Sequence, residues 1–207
     1  MLENKTQYLS NLFNIELSLL KEVSSEIEWD EECYLIDKWS FMDEVYKSKM
    51  FRIDNFPKTI SIEGRYHQLE LFFDEENKDP LFFEKEKNFL MVLSKLWAYS
   101  STYVESNIRF KDDDFLQEIL DEEQYKLAKQ IFSKEDIILC DDWETLKFLL
   151  TLSLRDYIST CIYLADLKII IWVKGLCSVV YLCNKNHEDF VRTICTTEGL
   201  YLYSIDE

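Results

Sequence analysis

The apolar positions fall into two patterns, one with the period of a strand and one with the period of a helix. Residues 160–183 (TCIYLADLKIIIWVKGLCSVVYLC) form the most apolar and β-branched stretch. Within it, Ile169, Ile171 and Val173 share one parity, and Ile170 and Trp172 share the other. β-Branched and aromatic side chains suit a pleated surface and lose rotamer freedom in a helix. A strand apolar on both parities is predicted to be central, with both faces covered. Lys174-Gly175 predicts a two-residue hairpin turn into residues 176–183, because Gly accepts the positive φ such turns need. Residues 161–165 read as a third strand turning at Asp166, with one long bent strand as the alternative. Asp166, Lys168 and Lys174 interrupt the stretch, so it falls short of the roughly 20 apolar residues of a spanning helix.

Elsewhere the helical period dominates. In residues 5–23, Tyr8, Leu9, Leu12, Phe13, Leu17, Leu20 and Val23 form one apolar stripe. A helix over 38–49 follows, then a loop at 55–58 around Pro57. Residues 59–63 and 68–73 predict a hairpin about Gly64. Asp79-Pro80 marks a helix start, since Asp caps and Pro suits the first helical position. That helix runs to about residue 99, with Phe82, Phe89, Leu93 and Trp97 inward. A strand at 102–110 precedes a helical stretch opened by Asp112, Asp113 and Asp114 and reaching about 132. Residues 137–140 predict a short buried strand. Asp141 or Asp142 caps a helix to about 158. Asn186 caps another helix, Gly199 ends it, and residues 200–204 return to the sheet. The resulting expectation is an α+β fold: an antiparallel β-meander over about 160–183, plus a C-terminal strand at 200–204, covered by helices. The N-terminal part is mainly helical. The chain, 1–207, reads as a single α+β domain, with residues 1–55 a candidate helical subdomain.

Composition narrows the chemistry. The chain is 47% hydrophobic and 15% aromatic, which predicts a packed core rather than disorder. Three glycines cannot form a Walker loop or a dinucleotide fingerprint, which removes the commonest nucleotide-binding classes. The net charge of -17 repels nucleic acid and anionic membranes and attracts basic partners. Per residue it is densest in residues 111–144, where 12 acids face 4 bases. The start MLENKTQYLS lacks the basic and apolar regions of a signal peptide, so the six cysteines are expected as free thiols in a reducing cytoplasm.

Candidate sites are few. Asp112, Asp113 and Asp114 with Asp141 and Asp142 offer hard oxygen ligands for Mg²⁺, and Glu84-Lys85-Glu86-Lys87 an acid beside a base. Helix capping accounts for both Asp clusters. Cys177, Cys183, His187 and Cys195 lack the paired close spacings of a zinc site. Neither His67 nor His187 pairs with a particular Cys, and no nucleophile elbow is present. No catalytic residue, metal site or cofactor is therefore predicted. The remaining feature is acidic surface studded with aromatics, as at Glu28, Trp29, Asp30, Glu31 and Glu32. It recurs at Asp112, Asp113, Asp114, Glu118, Asp121, Glu122 and Glu123, and at Asp141, Asp142 and Trp143. Such a face suits a basic groove. In composition the chain is similar to immunity proteins: acidic, Gly-poor and without catalytic motifs. The expectation is a non-enzymatic, cytoplasmic, bacterial immunity or inhibitor protein. It acts as a monomer or homodimer, without nucleic acid or membrane, and occludes a basic, nuclease-type cognate toxin. The alternatives are a metal-dependent hydrolase or nuclease using the Asp clusters, and a structural self-associating protein.

Overall fold

Cross-strand pairing of the β-branched runs organises the fold. The computed structural model describes residues 11–13, 48–58, 79–131 and 137–205. The expected helix at 5–23 outside Asn11–Phe13, most of that at 38–49, the hairpin at 59–73 and the acids Glu28 to Glu32 lie outside the described residues. In chain order the elements are β1 (Met50–Asp54), α1 (Pro80–Trp97), β2 (Thr102–Ser106), a 3-10 turn (Asn107–Phe110), α2 (Asp113–Ile119) and α3 (Glu122–Ile131). Then follow β3 (Ile138–Leu139), α4 (Trp143–Leu154), β4 (Thr160–Leu164), β5 (Ile169–Val173), β6 (Cys177–Leu182), a 3-10 turn (Lys185–His187), α5 (Glu188–Thr197) and β7 (Tyr201–Ser204). The strands form one seven-stranded sheet in the order β3-β2-β4-β5-β6-β1-β7. Every neighbouring pair is antiparallel. The fold is α+β, with β4-β5-β6 as the meander.

The parity of β5 sets two cores. Ile169, Ile171 and Val173 pack with Leu93, Leu149 and Leu150 beneath the helices. Ile170 lies on the opposite face with Phe13, Tyr163 and Tyr181. There Phe13 meets Tyr163 at 6.0 Å, and Lys168 Nζ donates to the Leu12 carbonyl at 2.9 Å. Two polar pairs lie on this second face: the Tyr163 hydroxyl donates to Glu105 (3.1 Å) and that of Tyr203 to Asp54 (2.9 Å), while Trp172 Nε1 and Arg52 Nε are buried without a hydrogen-bond partner among the described residues. Burial pushes the Asp54 carboxyl above its ordinary value.

Several expected boundaries shift, each for a local reason. The β5–β6 turn centres on Gly175 and Leu176, not Lys174 and Gly175: Lys174 N–H closes it on the Cys177 carbonyl at 3.4 Å. Gly175 has φ +61° at the first central position, where a II′ turn requires glycine. The strand expected at 102–110 ends at Ser106, whose hydroxyl caps the 3-10 turn by accepting from Ile108 N–H. The single helical stretch from Asp112 is two helices, interrupted where Leu120 is extended (φ -120°, ψ 143°). β3 is an edge strand: Leu139 is 50% exposed, while Ile137 and Cys140 on either side of the strand are buried as expected. α4 stops at Leu154 instead of reaching 158, because Asp156 takes a left-handed φ of +64°. Asn184 caps the 3-10 turn by accepting from Asn186 N–H, and α5 begins at Glu188 without a side-chain cap from Asn186. β1 was not anticipated. Its alternation of Met50, Arg52 and Asp54 against Phe51 and Ile53 inserts it between β6 and β7.

The sheet edges are short or covered. β3 has two residues. On β7, Ile205 N–H bonds back to the Met50 carbonyl, which by strand alternation turns the Leu202 carbonyl outward. Arg192 of α5 donates to that carbonyl. None of the five described cysteines is in a disulfide. Among the described residues, no helix is long and apolar enough to cross a membrane.

Ile171→Ala is expected to lower the unfolding free energy by about 2–5 kcal/mol, the range for a fully enclosed aliphatic side chain. Leu139→Ala, at the exposed edge, should stay within about 0.5 kcal/mol. Urea titration of both variants checks this. Equal losses would contradict the central position of β5.

Candidate functional site

The acids of residues 112–123 sit on an α2–α3 hairpin whose inner side is apolar. Leu116, Leu120 and Ala128 are buried, and Phe115 packs on Tyr157 at 6.4 Å. Two of the acids serve the backbone. Asp112 accepts from Phe115 N–H at 2.7 Å. Asp121 accepts from Glu123 N–H (3.0 Å) and Gln124 N–H (2.9 Å), while Gln124 Oε1 accepts from Asp121 N–H at 3.2 Å. That reciprocal box satisfies the free N–H groups of the first turn. Asp113 pairs with Lys129, whose hydrogen bond holds its carboxyl below the usual value. Glu122 pairs with Lys126 at 2.6 Å. Asp114, Glu118 and Glu123 are exposed, with no ion pair among the described residues.

Asp141, Asp142 and Trp143 form a second group at the start of α4. Asp142, rather than Asp141, caps the helix, accepting from Thr145 N–H at 2.9 Å; hydrogen bonds from the Thr145 side chain and then from its N–H lower the Asp142 pKa. Asp141 is exposed. Trp143 meets Trp97 at 5.6 Å, and Trp97 Nε1 donates to the Cys140 carbonyl at 3.1 Å. The 12 residues of α4 span about 18 Å at 1.5 Å each. Phe115 contacts Tyr157 beyond the far end of α4, so the two Asp groups lie near its opposite ends. Ligands of one Mg²⁺ must lie about 2.0–2.1 Å from the ion. Among the described residues, no three of His, Cys, Asp and Glu gather as metal ligands.

The remaining candidates are structurally engaged or apart. Glu86 is 7% exposed and forks with Arg155, Nε to Oε2 at 2.7 Å and Nη2 to Oε1 at 3.2 Å. It ties α1 to the end of α4 and is not an open acid beside Lys85. Cys177 and Cys183 lie at opposite ends of β6, and Cys195 is buried in α5. Burial pushes these thiols up to about 12, 11 and 12, which keeps them protonated. His187 sits at the start of α5, and His67 lies outside the described residues. Between the hairpin and α4 runs a groove of about 220 Å³, lined by Ile119, Gln124, Phe148, Thr151 and Tyr157 among others. This is below the roughly 300–1,000 Å³ of ligand pockets.

Sequence reasoning did not single out Tyr99, just past the C-terminal end of α1. Trp97 packs against the core, as its helical period predicts, and so does Phe190. In the structure Tyr99 is 63% exposed and meets Phe190 edge-on at 5.2 Å. The available signal was an aromatic residue placed beyond the last buried turn of the helix.

No family model, curated protein or solved structure matches this chain.

Two stability effects follow. Glu86→Gln removes the charge facing Arg155 and is expected to lose about 1–3 kcal/mol, between the limits for exposed and buried pairs. Denaturant midpoints measure this, and a neutral result would mean that the fork contributes nothing. Asp142→Ala lowers the melting temperature at neutral pH. The cap's contribution is present above the ordinary carboxyl value of 3.8 and fades as the pH falls through the lower folded-state value. The deficit against wild type therefore shrinks on acidification; a deficit unchanged in acid would show that capping charge is not its cause.

Proposed function

We propose that this chain is an acidic binding protein that masks a basic partner, as an immunity or inhibitor protein of bacterial origin masks a nuclease-type toxin. One observation carries the reading: Asp114, Glu118 and Glu123 project from a hairpin anchored by buried Leu116 and Ala128, free of the capping that engages Asp112 and Asp121. Fixed like charges on a rigid base raise the encounter rate with a cationic groove. At a net charge of -17 the surrounding field has the same sign. The partner's substrate is polyanionic, so an acidic surface seated in its groove blocks it sterically and electrostatically.

The non-enzymatic reading draws support from how the carboxylates are engaged. Caps and ion pairs account for Asp112, Asp113, Asp121, Glu122 and Asp142, and the two Asp groups lie near opposite ends of α4.

The test is affinity purification from the native cell at low and high salt, with the wild type and an Asp114→Lys, Glu118→Lys, Glu123→Lys variant. A basic partner held at low salt, thinned at high salt and lost to the variant is expected. With that partner purified, its association with the variant should slow by about tenfold or more at low salt. A partner bound equally by both would overturn this face as the contact. No partner at either salt, with heat on Mg²⁺ or Mn²⁺ titration, would favour the hydrolase instead.

A further inference from the structure

We propose that Arg52, on the second face of the sheet, anchors the carboxylate of a small monoanion with an apolar body. The proposal goes beyond the acidic-face reading and does not depend on it. Strand register places the residues. Trp172 lies directly across from Val179, Val179 from Arg52, and Arg52 from Tyr203. Residues opposite one another share a face, so the four side chains form one row over β5, β6, β1 and β7. Two strand spacings, about 10 Å, separate the Cα atoms of Trp172 and Arg52, with only the short Val179 between them. Trp172, Val179 and Arg52 are half-buried, so this part of the row is open to solvent, whereas Tyr203 is buried.

Arg52 lacks a counter-ion in a chain that holds 40 acids. Among the described residues, Arg109, Arg155 and Arg192 each face a glutamate, whereas no carboxylate forms an ion pair with Arg52. Asp54, two residues along β1, is spent elsewhere: it accepts from the Tyr203 hydroxyl at 2.9 Å and from Phe56 N–H at 3.2 Å, and acts on Arg52 through space. The Tyr203 hydroxyl neighbours the guanidinium too, but it is a neutral group and leaves the charge unpaired. Arg52 Nε is buried without a partner, while Nη1 and Nη2 are not, so the outer edge of the fork is the accessible one. Trp172 Nε1 is the second unpartnered N–H of the same row.

Charge and shape decide the occupant. A half-buried cation without a counter-ion favours an oxyanion, and the planar guanidinium fork matches the two oxygens of a carboxylate. The field of a chain with net charge -17 repels a doubly charged anion more than a singly charged one, so a monocarboxylate is favoured over phosphate. On the β6 side of Arg52, Val179 and the Trp172 ring offer apolar surface to the rest of the ligand. An aromatic or aliphatic body laid over Val179 would meet both while its carboxylate meets the fork.

The probe is sodium benzoate, titrated at constant ionic strength into the isotope-labelled full chain. The Arg52 Nε–H and Trp172 indole N–H signals, assigned from Arg52→Gln and Trp172→Phe, are expected to move together and saturably. Arg52→Gln should weaken benzoate binding about tenfold or more, the factor for one hydrogen bond to a charged group. Trp172→Phe, which keeps a ring and removes the N–H, should weaken it about two- to tenfold, the factor for one neutral hydrogen bond. Unchanged β5 amide signals show that each variant is folded. Acetate should bind more weakly than benzoate, and inorganic phosphate should leave both signals in place. Benzoate binding that survives Arg52→Gln, or signals that never move, would overturn the site. Phosphate binding tighter than benzoate would overturn the carboxylate, and acetate binding as tightly as benzoate would overturn the apolar body. The salt dependence of partner capture tests the acidic-face reading separately.

Discussion

The row Ile162–Ile171–Val180, paired directly across β4, β5 and β6, is the contact on which the rest of the structure depends. All three side chains are at most 2% exposed. A one-residue slip in register would transfer every one of them to the opposite face. The helices are placed by this row: α4 lays Leu149 and Leu150 on it, α1 adds Leu93, and α5 adds Val191 and Cys195. The acidic surfaces are then the solvent sides of elements whose inner sides are committed to the same core.

Placing acids outside a core is not enough to define them; their backbone duties separate them further. A carboxylate that opens a helix satisfies N–H groups that would otherwise lack partners. Asp79, Asp112, Asp121 and Asp142 all do this. Capping and partner recognition draw on the same residue type, so a run such as Asp112-Asp113-Asp114 holds one cap, one ion-paired acid and one uncommitted acid. Only the last has no local role to explain it.

The legible part of the fold is where pattern and context agree. The meander, α1 with its Asp79-Pro80 start and the return of β7 follow from alternation, helical period and cap chemistry over long runs. β1 was missed because its five residues include Arg52 and Asp54, and its apolar side becomes evident only when β6 and β7 flank it. The break at Leu120 was hidden because the apolar period of 112–132 continues across it; only the box between Asp121 and Gln124 marks a second start. The site was less legible than the fold. Shared ligand chemistry grouped Asp112 to Asp114 with Asp141 and Asp142, whereas α4 holds them apart. Tyr99 reads as one more aromatic in an apolar helix until its neighbours are known.

The clasp of Arg192 on the Leu202 carbonyl has a consequence for how the molecule fails. The outermost strand is shielded by a single ten-residue helix that immediately precedes it in the chain. A helix of that length has little stability apart from its packing. When α5 opens locally, the edge of β7 becomes a free template. The threshold for strand exchange between copies is thus set by the local opening of α5, and global melting need not report it.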